Sequence, residues 1–443
     1  MKYTLIVINI LVLLGYSCVD ASEADSVVAP ININTLKKVH FPKLYAAQQK
    51  YLRWVDKPQR EFPFAVPAIA YNQYDGMQIG AAFINLKQPV KNIDFTSTLF
   101  YGIKSKKANG TVNLDYYVRP KMSVVSLIKP GIQFQSFSYR NNSKPMKYYA
   151  LHPNVSVTFN HRSEKLEKLE HRLSFTSHII LKKDSILEQL DSTHFQLKEA
   201  LTHYYVNELK YTFKRNDLNF PFSASLSLEQ AQNFVKTSFE ANAFLRYQLK
   251  NYNTGVHFKM FVGGFLWRKI KKPNPGYSLG GFNYNLTGTT GSNDYKFDDY
   301  YFGRYENEGF TANQISARDG FFKVTTPLQS PAVGQTGNFI FALNTVIDFP
   351  IEHVPLKFFL DIGFIQDNIL NTNTPPAVKQ FAYDGGFMFS FFNRGFEVYF
   401  PLFYSKEFTQ YYKSNAPKFK QRITFLLDLH QLELHKKIRE MKF

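Results

Sequence analysis

The sequence predicts an all-β chain: a transmembrane antiparallel β-barrel of about sixteen strands, with a long loop between strands 11 and 12. Three observations predict it. Runs in which every second side chain is apolar recur along nearly the whole chain. The clearest joins Val235, Thr237, Phe239, Ala241, Ala243, Leu245 and Tyr247 in alternation with Lys236, Ser238, Glu240, Asn242, Phe244 and Arg246. Successive strand side chains point to opposite faces, so such a run has one apolar and one wet face. Beyond the N-terminus no apolar run is long enough for a membrane helix. Finally, short connections alternate with longer ones, as expected of a barrel with short periplasmic turns and longer outer loops. One strand alone fits a soluble sandwich as well as a barrel, so strand number and connection lengths decide.

Composition agrees with a single large barrel. The 443 residues would make two or three soluble domains at roughly 150 residues each, yet no shift in composition marks a boundary. Aromatic residues are 17% of the chain, suited to interfacial girdles at strand ends. The net charge of +18 comes from dispersed Lys and Arg. In an exported chain this points to outer-membrane lipid and lipopolysaccharide phosphates, not to nucleic acid.

Residues 1–21 read as a signal peptide: Lys2, the apolar stretch Leu5 to Leu14, then Val19-Asp20-Ala21 with small residues at the expected cut. Cys18 is the only cysteine, and Gly15 stands where a lipobox has an aliphatic residue, so cleavage is favoured over lipidation. Residues 22–62 form a short periplasmic lead-in. The barrel follows over 63–431, with strands expected at 63–72, 76–86, 92–101, 110–118, 122–140, 145–160, 170–183, 198–215, 220–229, 234–248, 254–268, 337–351, 355–365, 378–391, 394–403 and 419–431. Numbered from a periplasmic start, the even-to-odd turns at 251–253, 352–354 and 393–394 are short. The odd-to-even connections at 183–196, 270–336, 368–377 and 406–418 are longer. Residues 432–443 are a charged tail.

The stretch 270–336 departs most from the repeat, and a loop of that length is functional or disordered. It holds Gly280-Gly281-Phe282, an acidic and aromatic region from Asp294 to Tyr305, Glu308-Gly309-Phe310, and Arg318-Asp319-Gly320-Phe321. Strand residues Asn344 and Asp348-Phe349-Pro350 follow, then Phe359, Asp361 and Gly363 in the pattern Phe-x-Asp-x-Gly. On these residues the chain resembles the bacterial surface antigen superfamily, the barrels of outer-membrane assembly and two-partner secretion. That resemblance implies that the loop folds back into the lumen and that an Arg-Gly-aromatic motif on it meets the acid of the Phe-x-Asp-x-Gly strand. It makes Arg318, Gly320 and Phe321 the loop side of a lock and Asp361 and Gly363 its wall side. Glu308, Gly309 and Phe310 are the alternative loop motif, and Arg304 is the second candidate arginine.

Tyr71-Asn72-Gln73-Tyr74-Asp75-Gly76, Phe100-Tyr101-Gly102-Ile103-Lys104-Ser105-Lys106 and Arg318-Asp319-Gly320-Phe321-Phe322-Lys323 look more specifically like the barrel attached to some aminopeptidase-N-like metallopeptidases of the Bacteroidetes. No His-Glu-x-x-His pair is present to hold zinc, so the enzyme does not come with it. Asp294, Asp298, Asp299, Glu306 and Glu308 have no calcium-loop spacing, and Ser174 with His178 is a chance-level pair. The expectation is therefore no enzyme, no cofactor and no metal. The implied function is to help insert, translocate or assemble outer-membrane or surface proteins, with protein subunits or client proteins as partners. The alternatives are a solute channel or a membrane anchor for another protein.

Overall fold

The computed structural model describes most of residues 63–429. The connections 86–91, 160–168, 190–194, 248–253, 270–281, 326–332 and 368–377, with a few shorter ones, fall outside the described residues. So do the expected signal peptide, Cys18, the lead-in 22–62, Glu308 and the tail 432–443.

Among the described residues, sixteen strands run as one antiparallel meander. They are β1 (Pro63–Asn72), β2 (Gly76–Asn85), β3 (Ile93–Gly102), β4 (Lys107–Tyr116), β5 (Val125–Asn141), β6 (Pro145–Phe159), β7 (Leu169–Gln189) and β8 (Phe195–Arg215). The second half comprises β9 (Phe222–Ala231), β10 (Phe234–Arg246), β11 (Gly255–Arg268), β12 (Phe339–Asp348), β13 (Leu356–Asp367), β14 (Val378–Phe391), β15 (Phe396–Tyr404) and β16 (Thr424–Leu427). Each pairs with the next, including β11 with β12 across the long loop in the register Met260 to Leu343. Most starts and ends follow the sequence pattern because most alternating runs are interrupted by Asn, Gly or Asp at the turn.

Exposure settles which face is which. On β2, Met77 and Ile79 are 50% and 59% exposed, while Gln78 between them is fully buried. On β13 and β14 the outward residues are Phe358, Leu360, Phe381 and Tyr383, and the buried ones between them include Asp361 and Asp384. A soluble sandwich would bury the apolar set. Here the apolar face is outside and the polar face inside, the pattern of a barrel in lipid. The loop after β11 occupies the inside: its residues touch Tyr71 of β1, Tyr148 of β6, Tyr204 of β8, Glu229 of β9, Thr237 of β10, Lys259 of β11 and Asp361 of β13. Walls on so many sides make that interior the lumen.

Two expectations need correction. The connections after β1 and β3 are tight turns at 73–75 and 103–106, and β5 ends only four positions before β6 begins, so long odd-to-even connections are confined to the later strands. Length in the first half is spent on strands instead: β7 and β8 pair from Leu169–Arg215 out to Gln189–Phe195, through most of the expected connection at 183–196. The last strand is also shorter than 419–431. The preceding connection contains a helix, α1 (Lys406–Asn415), whose Phe408 and Tyr412 are fully buried. Phe408 packs on Phe322 of the lumen loop, and Tyr412 accepts a hydrogen bond from the Thr325 backbone. Alternation could not show this, because the two anchors lie one helical turn apart.

Candidate functional site

The lumen loop meets the wall most tightly at residues 319–323. Gly320 lies between Asp319 and Phe321, both left-handed at φ 48° and 50°, conformations that cost on the order of 1–3 kcal/mol each. A Cβ on Gly320 would sit 2.5 Å from the Leu286 carbonyl oxygen, so the chain can make this bend only with glycine. The bend turns Lys323 into the wall. Its Nζ lies 2.9 Å from Asp361 Oδ1, with both side chains fully buried. The same ammonium donates to the Phe321 carbonyl at 2.7 Å and stands 4.0 Å from the centre of the Phe321 ring, near Phe359 and Tyr399.

The neighbouring strands complete the socket. Asp384, the register partner of Asp361 on β14, accepts the Lys323 backbone N–H at 3.0 Å. Asn344 on β12 donates to Asp361 at 3.0 Å and to the Gly320 carbonyl at 2.9 Å. Thr424 on β16 donates to the Lys323 carbonyl at 2.6 Å. Gly363 leaves the space that Leu286 and Phe322 fill, since a Cβ there would lie 2.6 Å and 2.9 Å from them. A charge this deeply buried is tolerable because the ammonium meets a carboxylate, a carbonyl and a ring face together.

Asp361, the expected wall-side acid, lies against Lys323, and Arg318 does not pair with it. The bend at Gly320 sends the two cations in opposite directions. Arg318 turns back into the loop, at 2.5 Å from Asp298, 2.9 Å from Asp299 and 3.5 Å from Asp294. Arg304 meets Asp294 at 2.8 Å and packs on Phe297 and Tyr148. These three aspartates lie close enough to hold a metal ion, but the Arg318 guanidinium occupies the position between them. Gly309 and Phe310 of the alternative motif lie elsewhere, with Phe310 stacked at 4.2 Å on Phe425 of β16.

A second anchor was not legible at all. Lys296 reaches Glu208 of β8 at 2.8 Å and Glu229 of β9 at 3.1 Å. Tyr295 donates to Glu229, and Lys236 of β10 stacks on Tyr284 and Tyr295. His178 joins Glu208 to His152, while Ser174 donates instead to the Lys210 carbonyl. His257 pairs with Asp348. The signal available was the regular placement of Glu208 and Glu229 on polar faces, which names no partner.

The aspartates around Arg318 are driven apart. Burial pushes Asp294 up to about 7 against the pull of Arg304. Burial acts on Asp298 too, but Arg318 and Lys296 outweigh it and hold that carboxyl well below the usual range. A raised carboxyl loses stabilising effect as pH climbs from its ordinary value to the raised one; a depressed carboxyl loses it as pH falls below the ordinary value. The loop should therefore be held hardest in mild acid, loosening gradually between about pH 4 and 7 and sharply below about pH 4. A spin label on Ala312 should report this. Asp294→Asn, which mimics the protonated acid, should abolish the loosening above pH 4 and leave the acid limb. An unchanged profile would contradict the assignment.

No family model matches the sequence, and no curated protein matches it. Among solved structures, it is similar to BamA from Haemophilus ducreyi lacking POTRA domains 1-3, at 9% identity and a TM-score of 0.45 over 77% of this chain and 67% of that one. It is also similar to CdiB from Acinetobacter baumannii, at 12% identity and a TM-score of 0.36 over 79% of this chain. The chain spans 57% of the CdiB chain's length. The strands, their inside-out faces and the filled lumen make this chain an antiparallel β-barrel, with sixteen meander strands among the described residues and its long loop folded inward.

Proposed function

We propose that this chain is an outer-membrane barrel of surface-antigen type that helps insert, translocate or assemble other outer-membrane or surface proteins, without catalysis of its own. The observation that carries this reading is the socket of Lys323, Asp361, Asp384 and Asn344, which fastens an inward-folded loop to β12–β14. A barrel whose task is to leak solute gains nothing from filling its lumen with a loop anchored to the wall. The outward apolar face supports the outer-membrane location, with lipid and lipopolysaccharide around it, and client proteins or further subunits are the partners.

Depleting the protein and quantifying the outer-membrane proteome tests this. A defined set of surface proteins should fall severalfold while transcripts stay constant. An unchanged proteome, with steady conductance from the purified barrel in planar bilayers, would replace assembly with the channel reading.

A further inference from the structure

Asn344, Asp361 and Asp384 form a row straight across β12, β13 and β14, each the register partner of the next. Both aspartates are fully buried, and so is the Lys323 side chain that the loop brings against them. Two carboxylates and one ammonium would leave a net negative charge in this site, and like charges in contact cannot both persist away from water. The charged and titratable groups that face the row do not supply the balance. Glu397 of β15 is matched by Arg394 at 2.9 Å and by the Tyr399 hydroxyl at 2.5 Å. Lys259 of β11 lies 3.0 Å from Glu240, and Tyr412 of α1 accepts the Thr325 N–H.

Counting hydrogen-bond donors exposes the same gap. Asp361 Oδ1 accepts from Lys323 Nζ at 2.9 Å and from Asn344 Nδ2 at 3.0 Å. Asp384 Oδ2 accepts the Lys323 backbone N–H at 3.0 Å. That leaves Asp361 Oδ2 and Asp384 Oδ1, both buried and both without a donor among the described residues. The two carboxyl groups nevertheless stand within hydrogen-bond reach of each other. Two acceptors in contact repel unless a hydrogen lies between them, and buried polar atoms left unpaired are costly.

One proton repairs both defects. We propose that Asp361 and Asp384 together bind a single proton, held between Asp384 Oδ1 and Asp361 Oδ2, so that the socket is a neutral triad of one ammonium, one carboxylate and one carboxylic acid. Asp384 is the donor side, because Asp361 already receives two donors, one of them the ammonium, and so carries the charge. The proton is then part of the lock. It lets two acids stand side by side on the wall, one for the Lys323 ammonium and one for its backbone N–H, where two carboxylates would repel. This assignment holds whatever the barrel assembles or conducts.

Infrared spectroscopy of the full chain at neutral pH tests this, in a detergent free of ester and acid carbonyls, because a protonated carboxyl has a carbonyl stretch that a carboxylate lacks. Against the parent, Asp384→Asn should lose one protonated-carboxyl band; its amide can donate to Asp361 in the proton's place. Asp361→Asn should lose the same band, since Asp384 then ionises to match Lys323, and the double variant should lose no more than either. Other protonated acids of the chain cancel in each difference. An undiminished band in Asp384→Asn would mean two carboxylates and overturn the proposal. So would a band kept in Asp361→Asn, which would give the proton to Asp384 alone, or a twofold loss in the double variant, which would mean two protons. Heat-modifiable mobility checks that each variant is folded. Should they not fold, the chain is labelled with aspartate carrying a heavy isotope at the side-chain carboxyl carbon, in an Asp294→Asn background that leaves both acids in place. The protonated-carboxyl band should shift with the label, and the absence of any shifted band would overturn the proposal.

Discussion

Asp361→Ala should release the loop tip and destabilise the barrel by about 3–5 kcal/mol, because it strands the fully buried Lys323 ammonium without its carboxylate. The lost partner is not easily replaced: Asp384 is occupied by the Lys323 backbone N–H, and the Phe321 ring face is a weaker host for the charge. The sign of the effect follows from the pair and not from packing. Lys323→Met/Asp361→Leu, which removes both charges and keeps the volume, should recover most of the loss. Arg318→Ala should behave differently. It removes the cation shared by Asp294, Asp298 and Asp299, loosening the loop around those residues while leaving the Asp361 socket intact. Heat-modifiable gel mobility and protease sensitivity of the loop read both effects. An Asp361→Ala barrel with parental mobility and protection would show that the socket contributes nothing.

Gly363→Val should push the loop off the wall without touching a charge. The added carbons would enter the space of Leu286 and the Phe322 ring, already within 3 Å of a bare Cβ. Both neighbours are fully buried and packed with Phe261, Ile340 and Phe408, so neither can give way cheaply. Overpacking of this kind costs about 1–3 kcal/mol. Because the strain falls on the loop and not on the β13 ladder, the sheet should persist while the loop becomes protease-sensitive. The measurement is limited proteolysis with mass mapping, and cuts should gather between residues 282 and 325. Cuts in the strands with an intact loop would mean that Gly363 serves the sheet alone.

Strand positions were legible because alternation is a local property, and β1, β14 and β11 lie almost where the pattern put them. The apolar-out sense was not local: Met77, Gln78 and Ile79 read the same in a sandwich, and only burial separates the two cases. On the wall side of the socket, Asp361 and Gly363 were legible from their spacing in one strand. The loop side was misjudged at one residue, because two left-handed residues around Gly320 redirect the chain between Arg318 and Lys323, and no pattern of residue types encodes that bend. The contacts of Phe302 and Phe310 with Phe425 and the Lys296 anchor join residues far apart in sequence. Their partners become visible only when the sheet curls.

The loop fills the lumen and is fastened there. Thr287 is fully buried in it, with its hydroxyl donated to the Val324 carbonyl, and Thr287→Cys is a small change. In intact membranes, with Cys18 absent, a membrane-impermeant maleimide should leave Cys at position 287 unlabelled while labelling a Lys413→Cys control on the exposed side of α1. Labelling at 287 should appear on unfolding, and also in Asp361→Ala. Rapid labelling at 287 in the folded parent, at the rate of the control, would place the loop in open water and contradict the claim.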